Sequence, residues 1–481
     1  MAESGRSSRV RVVHDAYGRS YRVGETDSVL IGRSRAWIMR MAWASMAAIG
    51  LFQYGFAAAV PTLTRAYGWS LTDAFWVLGV WVLFQAGVSA LAMWLYQRLR
   101  RSLAVPMLLG AGLCTVALLT LAHTGRPGPV LLGYSMLGGI GCGLVYATCV
   151  AAAVEWFPER TTTIVGLVSS GFGCGALPFV VVAYGLGVDN HTAILSSAGV
   201  AVFAIVGVSG LLMRKPPRNW WPSYVDPQLW SVDQRLNRSL PNNVPALEPY
   251  SVRAAFRSGT LPMMVVVVVL GAAVALLDIG YLAAFAVSRS PSLVGAAAIG
   301  VLAVMTGFGR AGASVLSDRL GRRGTLRLAM AVGGVAQFGL LVAVHGRYSA
   351  AVIVFAGLAG AGTGAGYPLL VGMVREWFGE DAKLSNYGLV YTGKAFGGVA
   401  GLGLARLTWT TTGATVAFAV AGCLGLFGAA LTARMSQPGR RATPLPRLRI
   451  DSLRRKDMPP AQQVLIQQAV ADAEGYGMRL Q

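Results

Sequence analysis

The sequence is short of charge. Only 13% of its 481 residues are Asp, Glu, Lys or Arg, whereas about a quarter of a soluble globular protein is charged. Acidic residues are scarcer than basic ones, 20 against 41, which gives a formal net charge of +21. Together with 54% hydrophobic residues, this deficit excludes an ordinary soluble domain and predicts a membrane protein. We therefore assign the basic excess to the loops of one membrane face rather than to nucleic-acid binding.

Residue patterns of enzymatic sites are also missing. The sequence offers no metal-type ligand spacing and no nucleophile–base pair, so we expect no metal, no cofactor and no enzymatic activity. Glycine-rich stretches lie within apolar runs, which indicates close helix crossing rather than a nucleotide-binding loop. The five cysteines are interpreted as reduced packing residues because all of them lie inside apolar runs: Cys114, Cys142, Cys149, Cys174 and Cys423.

Long apolar runs are what the chain has instead. A transmembrane helix needs about 20 mostly apolar residues, and the chain contains twelve such runs. They lie near 37–60, 74–96, 103–123, 129–154, 162–187, 192–213, 261–286, 293–316, 324–344, 349–374, 384–406 and 411–434. The sequence thus predicts an all-α membrane protein with twelve transmembrane helices, arranged as two six-helix repeats at 37–213 and 261–434.

Three polar segments lie before, between and after the two six-helix repeats. Residues 1–36 lack an apolar core followed by a small-residue cleavage site, so we expect a disordered cytoplasmic arm and no cleaved signal peptide. Residues 214–260 hold three tryptophans and are predicted to be a cytoplasmic loop along the membrane interface, where Trp is favoured. Residues 435–481 are the predicted cytoplasmic tail, in which 458–481 has the pattern of a short amphipathic helix.

Basic residues predict the orientation. The short loops on one side carry 17 Lys and Arg, and the loops on the other side carry 5. By the positive-inside rule both termini are cytoplasmic. We expect a multi-pass protein of the cell (plasma) membrane that acts as a monomer in the bilayer.

The two halves repeat each other with a constant offset of 221 residues. This offset relates the fourth run to the tenth and the end of the second run to the end of the eighth, which argues for duplication of a six-helix unit. Parallel repeats of this kind are a transporter architecture, with a substrate site between the halves. The matches are Tyr146 with Tyr367, Glu155 with Glu376, Trp156 with Trp377, Phe157 with Phe378, Glu159 with Glu380, and WLYQRLRR (94–101) with VLSDRLGR (315–322).

The stretch GRAGASVLSDRLGRR, residues 309–323, resembles the loop signature of the major facilitator superfamily. Its aspartate can pair with the arginines, and its small residues let neighbouring helices approach. The resemblance implies a gating loop formed by Asp318, Arg319, Gly321 and Arg322. In the first half the pattern has changed, since Gln97 stands in the position of Asp318.

A narrower resemblance is to the oxalate/formate antiporter family. NYGLVYTGKAFGG in the eleventh run is similar to that family's Asn-Tyr-Gly…Tyr-Thr-Ala-Lys-Gly stretch, and FQYGFAAAVPTL in the first run also looks like it. The resemblance extends over about residues 37–434. It implies a secondary transporter of a small organic anion that works by alternating access as an exchanger. It also implies that Arg310 and Lys394 bind the anion.

Both cations lie deep in apolar runs. Lys394 is about ten residues into its helix, roughly 15 Å deep, and Arg310 lies about 12 Å before the loop aspartate. A charge at such depth usually faces a cavity or a partner. Besides anion binding, the alternatives are a Lys394 that burial neutralises or that pairs with a carboxylate, and an Arg310 that reaches the cytoplasmic face. Polar side chains proposed to complete the site are Gln53, Tyr54, Tyr146, Tyr367 and Tyr391, although a membrane tyrosine is more often a packing residue.

Asp278, in the seventh run, is the third ionisable residue inside a predicted transmembrane helix, after Arg310 and Lys394. It is a candidate for proton coupling, for the resting partner of Arg310 or Lys394, or for a pore-lining or near-surface residue. The alternatives to anion exchange are therefore a proton-coupled monocarboxylate symporter and an exporter of amphipathic compounds. In another class, the chain is a non-transporting membrane receptor or scaffold.

Overall fold

A computed structural model describes residues 10–439 except 16–17, 100–101, 187–189, 247–248, 289–292, 381 and 412. The predicted amphipathic segment 458–481 lies outside these residues, as does most of the predicted tail. The described part of the chain contains twelve long helical spans, numbered here in chain order. Their bounds are Ala36–Tyr67, Leu71–Arg98, Ala104–His123, Pro127–Trp156, Pro158–Val182, His191–Leu212, Thr260–Val287, Val294–Leu320, Arg322–His345, Ser349–Phe378, Lys383–Thr411 and Gly413–Arg434.

This architecture confirms the predicted twelve-helix fold. Eleven spans are long and apolar enough to cross a membrane, and the remaining one, span 11, is the helix that carries Lys394. Spans 1–6 are called the N-half and spans 7–12 the C-half. The helices extend past the apolar runs, since span 1 continues through Pro61 to Tyr67.

Five spans consist of consecutive helical segments. Two of these segments, Leu51–Gly55 and Leu131–Leu137, are π-helical turns, which often mark functional positions in a helix. The segments are Ala36–Gly50, Leu51–Gly55 and Phe56–Tyr67 in span 1, Leu71–Gly87 and Ser89–Arg98 in span 2, Pro127–Val130, Leu131–Leu137 and Gly138–Trp156 in span 4, Pro158–Arg160, Thr161–Cys174 and Leu177–Leu186 in span 5, and Ser349–Gly364 and Gly366–Phe378 in span 10.

The predicted disordered arm is ordered over much of its length, which corrects that expectation. Strands β1 (Arg11–His14) and β2 (Ser20–Val23) form an antiparallel hairpin, and a short helix follows at Asp27–Ile31. Sequence reasoning missed the hairpin because two four-residue strands give little periodicity and because their partner is distant in the chain. That partner lies in the loop between spans 6 and 7.

The same loop, called the central loop, corrects the prediction for its tryptophans. Trp220 and Trp221 are buried in protein rather than spread along a membrane interface. The Trp221 ring lies 4.7 Å from the Tyr21 ring of the hairpin, and the Trp220 ring lies 5.1 Å from that of Trp156. Two short helices, Pro227–Val232 and Val252–Arg257, belong to this loop. The face of the molecule that carries the hairpin, the central loop and the loop between spans 8 and 9 is called the basic face.

Glycines spaced four residues apart set the position of span 11. A Cβ atom on Gly393, Gly397 or Gly401 would lie 2.8, 2.2 or 2.2 Å from backbone oxygens of span 7. The two helices therefore pack backbone to backbone, as small residues at every fourth position allow. This close packing fixes the rotation of span 11, so Lys394, next to Gly393 in the chain, is directed away from span 7 and toward the N-half.

The glycine contact predicts a position-specific effect on stability. We expect Gly401→Ala to destabilise the protein by about 1–3 kcal/mol, because the added methyl group overlaps the Ala273 carbonyl oxygen. The control is Gly403→Ala on the same helix, where an added Cβ meets nothing within 4 Å. The midpoints of thermal unfolding in detergent measure both effects, and equal midpoints for the two variants would contradict the packing argument.

Candidate functional site

Lys394 reaches across the interface between the two halves. Its Nζ donates hydrogen bonds to Gln53 Oε1 of span 1 and to Gln85 Oε1 of span 2, both at 2.9 Å. The lysine is 1% exposed, so these carboxamide oxygens replace the water that an ammonium would otherwise bind. A cation of the C-half is thus solvated by neutral dipoles of the N-half.

Arg310, on span 8, lies beside this lysine and is as deeply buried. Its guanidinium carbon lies 5.2 Å from the Phe172 ring centroid and 4.9 Å from that of Tyr367. The Lys394 ammonium lies 5.1 and 5.9 Å from the same two rings. Both cations therefore share two aromatic faces, each of which attracts a desolvated cation by up to about 2 kcal/mol.

The guanidinium of Arg310 is only partly satisfied. One nitrogen, Nη1, donates to the Ser169 carbonyl oxygen at 3.2 Å, and the buried Nε has no hydrogen-bond partner. Among the described residues, no carboxylate pairs with Arg310 or Lys394. This excludes, for that part of the chain, the alternative in which Lys394 rests against a carboxylate. The burial of Arg310, which is 1% exposed, excludes an arginine that reaches the aqueous face. The centre therefore holds two cations and an excess of hydrogen-bond donors.

Three tyrosines from the predicted set form one continuous group. The Tyr391 ring stacks on that of Tyr146 at 4.6 Å and lies 5.5 Å from that of Tyr367. Tyr391 thus stands between the two tyrosines that the internal repeat relates. Its hydroxyl oxygen accepts a hydrogen bond from Gln85 Nε2 at 3.2 Å, which links the aromatic group to the lysine.

The remaining two predicted residues lie in the π-helical turn of span 1. Gln53 contacts Lys394 directly, and the Tyr54 ring meets that of Phe172 edge to face at 6.1 Å. A π turn rotates the following residues relative to a regular helix, so consecutive side chains of span 1 reach the same centre. The structure brings together all seven residues that were predicted to bind substrate.

Asp278 is not part of this group. It is fully buried on span 7 and accepts a hydrogen bond from Gln337 Nε2 of span 9 at 2.9 Å. Its other oxygen, Oδ1, has no partner. Two of the alternatives for Asp278, the resting partner of Arg310 or Lys394 and a near-surface residue, are therefore wrong, because its side chain is buried against Gln337 in the C-half. A role in proton coupling stays a prediction.

The predicted gating loop lies at the basic face. Arg322 Nη1 contacts Asp318 Oδ1 at 2.6 Å, and Arg322 Nε contacts Glu376 Oε1 at 3.2 Å. Gly321 has φ +79°, in the left-handed region that favours glycine. The Arg319 carbonyl oxygen accepts a hydrogen bond from Asn242 of the central loop. The acid–arginine pairing expected from the motif is therefore present, and a second carboxylate extends it.

Hydrogen bonds join the two halves near both faces. At the basic face, Gln97 Nε2 donates to Ser385 Oγ at 3.1 Å. At the opposite face, Arg406 Nε donates to Thr72 Oγ1 at 3.2 Å. Arg310 and Lys394 are each 1% exposed, so little of either cation is accessible to water.

Sequence reasoning missed Gln85, Phe172 and Ser169. A signal for the first was available, because Gln85 is a single carboxamide in the middle of the apolar segment VLGVWVLFQAG (77–87). No such signal existed for the other two. Phenylalanine is common in membrane helices, and the Ser169 contact uses only its backbone.

Comparisons with known proteins agree with this architecture. The model of the Major Facilitator Superfamily matches residues 42–354 and 290–470. An uncharacterized 38 kDa protein in a 23S RNA operon of Thermoproteus tenax is 27% identical over 86% of this chain and 98% of its own length. The oxalate:formate antiporter of Oxalobacter formigenes is 22% identical over 66% of this chain and 73% of its own length.

A solved structure supports the fold as well. The xylose transporter XylE from E. coli, in a partially occluded inward-open conformation, superimposes with a TM-score of 0.64 at 12% identity. The match covers 85% of this chain and 99% of that one. The chain belongs to the Major Facilitator Superfamily, and it is accordingly an integral multi-pass membrane transporter and not an enzyme.

Proposed function

We propose that the protein exchanges small organic anions, of the oxalate and formate kind, across the membrane by alternating access. The observation that carries this proposal is the pair of buried cations, Arg310 and Lys394, without a carboxylate partner among the described residues. Burying two like charges is costly. An anion between them removes that cost, so the bound state is the one in which closure is favourable.

The short separation of the two cations favours a small carboxylate. Arg310 Cζ and Lys394 Nζ lie 5.2 and 5.1 Å from the centroid of the Phe172 ring, so they are at most 10.3 Å apart. A carboxylate or a short dicarboxylate with a charge-assisted hydrogen bond of about 2.8 Å at each end spans a distance within this limit, so one such ligand can contact both cations. Arg310 Nε is buried without a hydrogen-bond partner and is available to such a ligand, and a guanidinium binds a carboxylate in two-point geometry.

Gln53 and Gln85 are the neutral acceptors that a substrate carboxylate would replace. Their carboxamide oxygens occupy the positions around the Lys394 ammonium that a substrate carboxylate would take. A neutral carboxamide binds an ammonium more weakly than a carboxylate does. The substrate therefore displaces the glutamines at a net gain, while the empty carrier is held only weakly in the closed form. This difference makes exchange the favoured mode of transport.

The likeness to the oxalate:formate antiporter supports the anion class. The rival function is proton-coupled monocarboxylate symport, and it depends on Asp278. That residue faces Gln337 inside the C-half and not the cationic centre, so we favour exchange. Export of amphipathic compounds is disfavoured because the centre is a polar, cationic site. A receptor or scaffold without transport would have no need for two buried cations.

The proposal includes an orientation. We place the protein in the plasma membrane, with its basic face and both termini on the cytoplasmic side. The reason is that 17 Lys and Arg residues of the short loops lie on that side. We propose that residues 37–213 and 261–434 move as the two rocking halves, that 214–260 connects them, and that the monomer is the working unit.

Removal of either cation is expected to abolish exchange. Lys394→Gln and Arg310→Gln should each lower kcat/KM for oxalate roughly 30-fold or more, because each leaves one carboxylate end without its charge partner. The measurement is uptake of labelled oxalate, formate and acetate into preloaded and empty proteoliposomes. Arg327→Gln, which removes an exposed cation of span 9, is the control and should transport normally. Normal oxalate uptake by Lys394→Gln would overturn the proposed site.

A permanent carboxylate at position 85 is expected to mimic bound substrate. Gln85→Glu places a negative charge at the Lys394 ammonium, where the amide oxygen now lies at 2.9 Å. We expect oxalate binding to weaken about tenfold or more, since one cation is already neutralised. Isothermal titration of the purified protein measures this, and Gln234→Glu, at an exposed glutamine of the central loop, is the matched control. An unchanged affinity of Gln85→Glu for oxalate would contradict the proposal that the glutamine oxygens occupy the place of a substrate carboxylate.

Asp278→Asn separates exchange from symport. An asparagine keeps the hydrogen bond to Gln337 and cannot carry a proton, so we expect counterflow to stay within about twofold of the original rate. The assay compares uptake into preloaded vesicles with uptake driven by an inward proton gradient into empty ones. If empty vesicles accumulate substrate with the gradient, and Asp278→Asn loses this activity, the protein is a symporter.

A further inference from the structure

A short helix of the central loop leads into the C-half on the basic face. It spans Val252–Arg257 and ends just before span 7. Gly259, between the two, has φ +79°, in the left-handed region that favours glycine. The chain therefore turns there, and the short helix does not continue the axis of span 7. We call it the juxtamembrane helix, because it lies at the end of a membrane span.

Most of the juxtamembrane helix is not covered by protein. Ala255 is its one buried residue, whereas Phe256 is 53% exposed and Val252 is 36% exposed. These two apolar residues lie four positions apart, as do two exposed arginines, Arg253 and Arg257. Residues four apart share one face of a helix. The helix thus presents an apolar stripe beside a basic stripe, which is typical of an element that lies in a membrane interface.

Two hydrogen bonds bring further cations to the same place. Thr260 Oγ1 donates to the Ser436 carbonyl oxygen at 3.0 Å, which joins the start of span 7 to the end of span 12. Arg323 Nη1, of span 9, donates to the Met435 carbonyl oxygen at 2.7 Å. Arg434 directly precedes that methionine. The starts of spans 7 and 9 and the end of span 12 therefore meet at one part of the basic face.

Four arginines of this surface lack an acidic counterpart among the described residues. None of them takes part in an ion pair in that part of the chain, and each is exposed. We call this surface the arginine platform, and its members are Arg253, Arg257, Arg323 and Arg434. Neighbouring like charges repel one another, and an anion among them relieves that repulsion.

The surroundings of the arginine platform favour a lipid as the source of this anion. Phe427 is 56% exposed and lies seven residues before Arg434, which is about two turns along the same face of span 12. Arg434 thus ends an exposed apolar stripe of a membrane span. After it, the sequence holds seven more Lys and Arg between residues 435 and 456. A cluster of basic residues next to a membrane helix is typical of binding to anionic lipids.

We propose that the arginine platform binds the phosphate of an anionic phospholipid in the leaflet on the basic side. A guanidinium pairs with a phosphate through two parallel hydrogen bonds, and Phe256 enters the apolar boundary beside the head group. The lipid supplies the negative charge that the four arginines do not receive from described residues. This site is separate from Arg310 and Lys394, and it does not depend on the proposed transport of anions.

The test places a reporter on the juxtamembrane helix. The reporter is Phe256→Cys labelled with bimane, in the full-length protein with Cys174→Ser and Cys423→Ser, reconstituted in nanodiscs. A nitroxide on a lipid acyl chain quenches bimane at short range, so quenching shows which lipid lies beside the helix. We expect nitroxide-labelled phosphatidylglycerol to quench at least about twofold more than the same mole fraction of labelled phosphatidylcholine, because the arginines attract the anionic lipid.

Removal of charge makes the result specific. Arg253→Gln combined with Arg257→Gln should bring the quenching by the two lipids to the same level. The matched control is Arg235→Gln combined with Arg238→Gln, which removes two exposed arginines from another part of the central loop. This control should leave the preference for phosphatidylglycerol unchanged.

Inorganic phosphate and oxalate in solution distinguish a lipid from a free anion. Neither should lower the preference for phosphatidylglycerol more than sodium chloride of the same ionic strength does. A larger effect of either anion would show that the platform takes a soluble anion and would overturn the lipid site. Equal quenching by the two lipids, or a preference that survives the loss of Arg253 and Arg257, would overturn it as well.

Discussion

Solvation of one buried ammonium organises the centre of this protein. Lys394 lies where neither water nor lipid headgroups reach it, and an ammonium in such a place needs hydrogen-bond acceptors. The acceptors come from the other half of the molecule, from Gln53 and Gln85. The need to solvate one charge therefore joins the two halves at their middle, through contacts weaker than those that a carboxylate would make. The surrounding aromatic rings add attraction without adding negative charge.

This arrangement depends on close backbone packing. The glycines of span 11 let it lie directly on span 7, where any side chain would overlap backbone oxygens. Similar contacts occur between the halves, since a Cβ on Gly173 would lie 2.4 Å from the Ala303 carbonyl oxygen of span 8. Such surfaces have no large interlocking side chains. They suit helices that separate and rejoin during transport.

The two repeats contribute different kinds of residue to the centre. Tyr146 and Tyr367 keep equivalent places and flank Tyr391 from both sides. The cations, however, belong to the C-half and the carboxamides to the N-half. At the basic face, Glu376 pairs with Arg322 of its own repeat, whereas the equivalent Glu155 pairs with Lys215 at the start of the central loop. One half supplies charge and the other supplies neutral donors and acceptors, so closure brings complementary groups together.

The sequence by itself determined the membrane fold, the number of spans, the repeat and the candidate cations. Apolar length, offset and rare intramembrane charges are local properties that can be read along one chain. Only the tertiary structure decided the partners. It placed Gln85 on Lys394, turned Asp278 toward Gln337, and ordered the hairpin of the expected arm against Trp221. These contacts join residues far apart in the chain, and helix rotation, set by glycine packing and a π turn, decides which side chains meet.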